Sequence, residues 1–157
     1  MTLQILKGLH QDYLNSLLDE GILNEQFNRI HSERRNEEPA DSVVKLIESY
    51  FKDVEAILSD LSSHDDNKSK IDLTKLSALA REIQDKSKSI GAEHVKNACP
   101  PLIEACEENH KRKFDRSLMW VTTEFSSTKT KLEAYVRMER RIMRYTEPRV
   151  ESSSSSS

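Results

Sequence analysis

The sequence predicts an all-α protein: an antiparallel, up-and-down four-helix bundle with two additional helices at its N-terminus. Helix-breaking residues are rare, since the 157 residues include 3 Gly and 4 Pro, and such a composition favours helices over a sheet. Apolar side chains recur every three to four residues through long segments, which is the helical period. The polar stretches between these segments are short, and short connections place consecutive helices antiparallel.

The two additional helices are predicted at residues 3–19 and at about residues 24–31. Gly21 follows the first of them, in the position of a C-terminal capping glycine. The charged stretch that comes next, residues 31–40, contains Pro39 and is predicted to be a loop. The apolar side of the second helix consists of Leu23, Phe27 and Ile30.

The first two helices of the predicted bundle are separated by a polar connection. Asp41 is predicted to cap the N-terminus of the earlier helix, which ends near Leu61. The connection covers residues 62–70 and is rich in Ser, Asp and Lys. A helix over about residues 73–89 follows it.

The last two helices begin after Gly91 and at about residue 115, and the second of them extends to residue 144. Pro100 and Pro101 fall inside the earlier one. An interior proline removes a helical hydrogen bond and disfavours helix at the residue before it. We therefore expect a kink or a break near Cys99.

The chain is predicted to form one helical domain over residues 1–146, followed by a disordered, Ser-rich tail over residues 147–157. Its 24 Lys and Arg and 27 Asp and Glu give a net charge of −3, so no basic field favours nucleic acid. The apolar runs are too short for a membrane span, and the N-terminal one is too short for a signal peptide. We expect a soluble intracellular protein that binds neither nucleic acid nor membranes.

The residues best suited to metal binding or covalent chemistry form no known motif. Cys99 and Cys106 are expected to be reduced and buried, because seven residues of helix separate them by about 10.5 Å. The sequence has no Gly-rich phosphate loop, HExxH or GxSxG motif. Because the histidines are scattered through different elements, we expect neither a metal site nor a cofactor. These residues are His10, His31, His64, His94 and His110.

The helix over residues 73–89 has a polar face with Arg81 at its centre, about 160° from the apolar Ile83. The spacing of these polar residues, taken alone, is typical of an ordinary solvent-exposed helix face. The other members of this face that matter below are Gln84, Asp85 and Lys88. Favourable pairs four residues apart are predicted for Arg81–Asp85 and Glu82–Lys86.

The segment Ser87–Cys99, SKSIGAEHVKNAC, resembles the segment that follows the phosphorylated histidine in plant histidine-containing phosphotransfer proteins. The stretch DEGILNEQF, residues 19–27, is similar to the N-terminal DEGxLxEQF pattern of that family. Residues 131–133 and 137–139 resemble its C-terminal helix. The resemblance covers about residues 1–144.

The differences from the family pattern fall on the phosphorylated helix. The family has HQLKGSSSSIGA where this chain has REIQDKSKSIGA, without a gap. Arg81 therefore stands in place of the phospho-accepting histidine, Gln84 in place of a lysine that neutralises phosphate, and Asp85 in place of a glycine. A guanidinium is always protonated and has no lone pair to attack phosphorus. The resemblance thus implies an inactive homologue rather than an enzyme.

By resemblance, such a pseudo-phosphotransfer protein competes for receiver domains of hybrid histidine kinases and response regulators and inhibits cytokinin-type phosphorelay. The resemblance also implies a monomer located in the cytoplasm and nucleus. The candidate receiver-binding residues are Arg81, Gln84, Asp85, Lys88, Leu23 and Phe27.

Two alternatives remain open from the sequence. The protein could be an active phosphotransfer protein that uses another histidine, His94 or His64. It could also be a helical scaffold that has lost receiver binding, because Asp85 adds negative charge where a receiver presents carboxylates.

Overall fold

The computed structural model describes residues 2–34, 41–63 and 72–146, and these residues form six α-helices. None of the described helices is both long enough and apolar enough to cross a membrane. A 3-10 turn, Leu73–Leu76, precedes the fourth helix. The helices are α1 (Leu3–Asp19), α2 (Glu25–Arg34), α3 (Ser42–Ser62), α4 (Ser77–Ile90), α5 (Glu93–Glu107) and α6 (Lys111–Thr146). The predicted all-α class is confirmed.

The last four helices form the bundle, in which α4 packs on α3 and α5, and α6 packs on α5 and α3. The two N-terminal helices pack outside it: α1 lies along α6, and α2 lies against α3 and α4. One continuous core joins them all and includes the large buried side chains Phe27, Ile47, Ile83, Leu102 and Tyr135. The burial of these apolar faces supplies most of the driving force for folding.

The prediction of a break near Cys99 is wrong, because α5 runs through Pro100 and Pro101 as one helix. The two prolines leave the carbonyl groups of Lys96 and Asn97 without their helical donors. Asn97 is exposed and Lys96 is half-buried, so water can reach this side of the helix. The opposite side of α5 is buried against α4 and α6, and that packing holds the helix together.

Several helix boundaries differ from the prediction by a few residues. The second helix reaches Arg34, whose Nη1 donates to Ser42 Oγ at 2.5 Å. The sixth helix begins at Lys111, two residues after Asn109, whose φ of 54° lies in the turn from α5. Asp41 does precede α3, but its side chain makes no capping hydrogen bond. Of the connections predicted over residues 31–40 and 62–70, residues 35–40 and 64–70 lie outside the described residues, as does the predicted tail 147–157.

Both cysteines are buried free thiols, as the sequence predicts. Burial raises the pKa of Cys99 to about 12, and burial together with the nearby charge of Glu107 raises that of Cys106 to about 11. A thiol that stays protonated at neutral pH is a poor nucleophile. These two cysteines therefore act as small apolar core residues.

The turn at Gly91 joins α4 to α5 and also contacts the start of α2. Gly91 ends α4 with a φ of 88°, in the left-handed region that favours glycine. Its carbonyl accepts from the Asn24 N–H at 3.0 Å, and the Glu93 N–H donates to the Ile22 carbonyl at 3.1 Å. A Cβ at Gly91 would lie 2.5 Å from the backbone nitrogen of Phe27. Glycine is thus required here for both conformation and space.

We expect Gly91→Ala to lower the free energy of unfolding by about 2–4 kcal/mol, because it adds a strained left-handed residue and a backbone clash. Urea unfolding followed by circular dichroism measures this. Gly8→Ala is the matched control: Gly8 lies within α1 with no atom within 4 Å of its would-be Cβ. That change should stabilise by about 1 kcal/mol through helix propensity. Equal effects at the two glycines would contradict the role given to the Gly91 turn.

Candidate functional site

The candidate site is the outward stripe of α4. Arg81, Asp85 and Lys88 are exposed and Gln84 is half-buried, while the opposite side of the helix, including Ile83, faces the core. The helical period placed these four side chains within one narrow arc. The structure therefore presents a guanidinium at mid-helix, on a rigid element, with polar neighbours one turn away.

Arg81 forms an ion pair with Glu107, at the end of α5. The predicted Arg81–Asp85 pair is wrong, because the guanidinium reaches across to the neighbouring helix instead. Both side chains of the actual pair remain about half exposed, at 54% and 50%. Among the described residues, Asp85 has no ion-pair partner, so its negative charge faces solvent uncompensated.

The predicted Glu82–Lys86 pair is present at 3.9 Å. Lys86 Nζ also lies 3.2 Å from Asp53 on α3. Beneath it, Tyr50 and Ser87 form a buried hydrogen bond of 2.7 Å between α3 and α4. Burial raises the pKa of Tyr50 well above its usual value, so the phenol stays neutral. These contacts hold α4 rigidly against α3 and fix the direction of its outward stripe.

The prediction that Leu23 and Phe27 flank a receiver-binding surface is wrong, because both are buried, at 1% and 0% exposure. They belong to the apolar side of α2, which packs into the core. The outward side of α2 instead carries Gln26 and Arg29. These two residues line an open cleft together with Lys88 of α4 and other residues from α4 and α5.

The candidate binding residues predicted from the sequence do not include Gln26 and Arg29, although the helical pattern of α2 indicates that both lie off its buried side. Each directly precedes a buried residue of α2, Phe27 or Ile30, so the helical period turns it outward. Gln26 Nε2 also donates to the Ser89 carbonyl at 3.1 Å and links α2 to the end of α4. The cleft contains a third cation, Lys96, which pairs with Glu93 at 3.1 Å.

His94 lies in the first turn of α5, as predicted. Its Nδ1 is 3.7 Å from a carboxylate oxygen of Glu124 on α6. The Nε2 of His94 lies beside the turn between α1 and α2, because a Cβ built at Gly21 would be 3.7 Å from it. Glu107, the ion-pair partner of Arg81, lies thirteen residues after His94 on α5. The two residues are therefore about 20 Å apart along the helix axis. His64 lies outside the described residues.

Comparison with known proteins gives a consistent result. No family model matches the sequence. Histidine-containing phosphotransfer protein 1 of Arabidopsis thaliana is 34% identical over 133 residues, which cover 85% of each chain. The chain belongs to the plant histidine-containing phosphotransfer family. Pseudo histidine-containing phosphotransfer protein 2 of Oryza sativa subsp. japonica is 30% identical over 127 residues, 81% of this chain and 83% of that one.

A solved structure supports the fold of this phosphotransfer family member. The histidine-containing phosphotransfer protein of Medicago truncatula superposes with a TM-score of 0.81 at 22% identity, covering 91% of this chain and 96% of that one. The predicted helical bundle is therefore confirmed. The relatives include one named as a phosphotransfer protein and one named as a pseudo-phosphotransfer protein, and both kinds of name occur at similar identity.

We expect the Arg81–Glu107 ion pair to contribute less than about 1 kcal/mol to stability, because both side chains are half exposed and screened by water. A double-mutant cycle of Arg81→Gln and Glu107→Gln, followed by urea unfolding, measures this coupling. The matched control is the similarly exposed pair Arg140–Glu48 between α6 and α3, which should give a coupling of the same size. A coupling above about 2 kcal/mol would show that Arg81 is a structural residue.

Proposed function

We propose that this protein is a pseudo-phosphotransfer protein that binds receiver domains without relaying phosphate and thereby inhibits cytokinin-type two-component signalling. The observation that carries the proposal is the exposed guanidinium of Arg81 in the middle of α4. By resemblance, this is the position of the phospho-accepting histidine. The similarity to a rice protein named as a pseudo-phosphotransfer protein supports the same conclusion.

The chemistry of relay explains why Arg81 prevents it. A relay residue must attack a phosphoryl group with a free nitrogen lone pair and release the phosphoryl group again near neutral pH, which imidazole can do. The guanidinium carries protons on all its nitrogens and stays charged at any physiological pH. Arg81 can bind a carboxylate or a phosphate but cannot accept a phosphoryl group.

The other described histidines are poorly placed to substitute. His10 and His31 are buried. His94 lies between Glu124 and Gly21, as described above. His110 is exposed, but its Nδ1 accepts the Lys113 N–H at 3.1 Å at the start of α6, which leaves the proton on Nε2 and no free lone pair. These surroundings count against the alternative of an active protein that uses another histidine.

The surroundings of Arg81 support binding to an acidic partner surface. Lys88 continues the stripe of α4, and Arg29 lies across the cleft from it. Charges at the edge of an interface mainly steer association and set its salt dependence. A receiver domain that presents carboxylates would compete with Glu107 for Arg81. Binding without chemistry would then keep that receiver from active relay proteins, in the cytoplasm and the nucleus, with the inhibitor acting as a monomer.

Asp85 favours a second candidate function, a helical scaffold that no longer binds receivers. It is exposed, and among the described residues it has no cation to neutralise it. Facing carboxylates of a receiver, it would be repelled. Receiver affinity therefore separates the two candidates.

We expect no transfer of phosphate from a phosphorylated receiver domain to the wild-type protein. The single variant Arg81→His restores the nucleophile, and the triple variant with Gln84→Lys and Asp85→Gly also restores the surface implied by the family pattern. The triple variant should accept phosphate more rapidly than the single one. Acid-labile phosphate on the wild-type chain, detected by gel autoradiography, would contradict the inactive assignment.

We expect the wild-type protein to bind an unphosphorylated receiver domain, with Asp85→Asn tightening binding several-fold because a repulsive charge is removed. Isothermal titration calorimetry at two salt concentrations measures this. Asp12→Asn is the matched control, since Asp12 is an exposed carboxylate of the same kind on α1, and it should leave affinity unchanged. If neither the wild-type protein nor Asp85→Asn binds any receiver, the competitor function is wrong.

A further inference from the structure

The N-terminal part of α6 presents two large apolar side chains to solvent. Met119 is 70% exposed and Trp120 is 45% exposed. The core side of this part of the helix carries Phe114, Val121 and Phe125, which are all buried, so the helical period turns Met119 and Trp120 outward. Exposed apolar residues rimmed by polar ones mark interaction surfaces, and Trp is among the residues that contribute most to binding there.

Two arginines lie on the same side of α6 as this apolar pair. Arg112, Arg116, Met119 and Trp120 fall within an arc of about 100° around the helix axis, and we call these four residues the α6 surface. Both arginines are exposed, and neither forms an ion pair with another described residue. The α6 surface therefore combines apolar contact area with two positive charges that are available to a partner.

The carboxylates near the α6 surface pair with other cations. Asp115 lies 2.7 Å from Lys111, and Glu104 and Glu108 lie 3.1 and 3.2 Å from Lys113. These pairs leave the arginines free to attract an anion. Because carboxylates alternate with cations here, a long polyanion such as nucleic acid, or an anionic membrane, would also meet repulsion. The charges thus favour a short acidic segment.

An open cleft lies beside Trp120 and is lined by His110, Lys113, Arg116, Ser117 and Trp120. His110 Nδ1 accepts the Lys113 N–H at 3.1 Å, so Nε2 carries the proton and can donate to an anion. Every lining residue belongs to α6 or directly precedes it, and the cleft therefore has no opposite wall. Small-molecule sites enclose most of their ligand, so this shallow surface is better suited to a segment of another protein.

We propose that the α6 surface binds an extended acidic segment of a partner protein, with two carboxylates and one apolar side chain at alternate positions. Arg112, Arg116 and Trp120 follow one another at four-residue intervals, about 6 Å apart along the helix axis. Alternate residues of an extended segment lie on one face at nearly the same spacing, about 6.6 Å. The two guanidinium groups each bind a carboxylate in a bidentate manner, and the apolar side chain packs on Met119 and Trp120.

This proposal does not depend on the proposed function. None of the residues of the α6 surface lies on α4, so the surface is separate from the outward stripe that carries Arg81. Arg81→Gln should leave binding of the acidic segment unchanged. Substitutions in the α6 surface should in turn leave receiver affinity unchanged.

The experiment selects random phage-displayed peptides on the full chain and then measures binding of the enriched peptides. We expect these peptides to share two acidic residues and one apolar residue at alternate positions. Trp120 is the only tryptophan of the chain, so its fluorescence reports directly on this surface. Its emission should move to shorter wavelength as a peptide covers it, and iodide should quench it less. Enrichment of basic or uncharged peptides, or of none, overturns the proposal.

Variants of exposed residues test which side chains bind the enriched peptides. Trp120→Gln, and the double variant Arg112→Gln with Arg116→Gln, should each weaken binding about tenfold or more in isothermal titration calorimetry. One matched control is Leu9→Gln, since Leu9 on α1 is 48% exposed. The other is Arg141→Gln, an exposed arginine near the opposite end of α6. Both controls should bind like the wild-type protein, and an equal loss in a control overturns the proposal.

The same fluorescence signal distinguishes the other possible occupants of the α6 surface. Vesicles of phosphatidylserine and phosphatidylcholine, or a duplex oligonucleotide, should leave the emission of Trp120 unchanged. A shift with either of these and not with the peptides overturns the proposal. A shift that depends on protein concentration alone also overturns it, because a second copy of the chain then covers Trp120.

Discussion

The structure depends on the close approach of the start of α2 to the turn between α4 and α5. This approach is possible because Gly91 has no side chain and adopts a left-handed conformation. Two backbone hydrogen bonds, from Asn24 to Gly91 and from Glu93 to Ile22, then join the segments. The Asn24 side chain adds a hydrogen bond to Glu93 at 2.6 Å, which helps to lower the pKa of that carboxyl. The direction of α4, and hence of its outward stripe, follows from this junction.

The outward stripe is held in a fixed direction and has an arginine, Arg81, at its centre. The buried hydrogen bond between Tyr50 and Ser87 and the apolar side of α4 hold the helix as a rigid platform. A nucleophile on such a platform would be well presented to a partner. Arg81 uses the same position for a permanent positive charge, held by Glu107 in the free protein. A guanidinium has no free lone pair, so Arg81 itself can bind an anion but cannot accept a phosphoryl group.

Polar side chains of this protein lie in two different environments. On α4 they are exposed, where an ion pair contributes little to stability and remains available to a partner. Between α1, α2 and α6 they are buried, where His10 Nε2 lies 2.7 Å from Glu139 Oε1 and His31 Nδ1 lies 2.6 Å from the Tyr135 hydroxyl. The same apolar packing that buries Leu23 and Phe27 brings α2 close enough to α1 and α6 for this cluster to form.

The sequence by itself determined the all-helical class, the approximate helix positions and the outward direction of Arg81. These features follow from the helical period and from local breakers, which act over a few residues. Only the tertiary structure decided that Arg81 pairs with Glu107 rather than Asp85, that Leu23 is buried, and that α5 continues through its prolines. It also brought together His10 and Glu139, which lie 129 residues apart. Such contacts depend on how whole helices pack against one another, and no local pattern of residues records that packing.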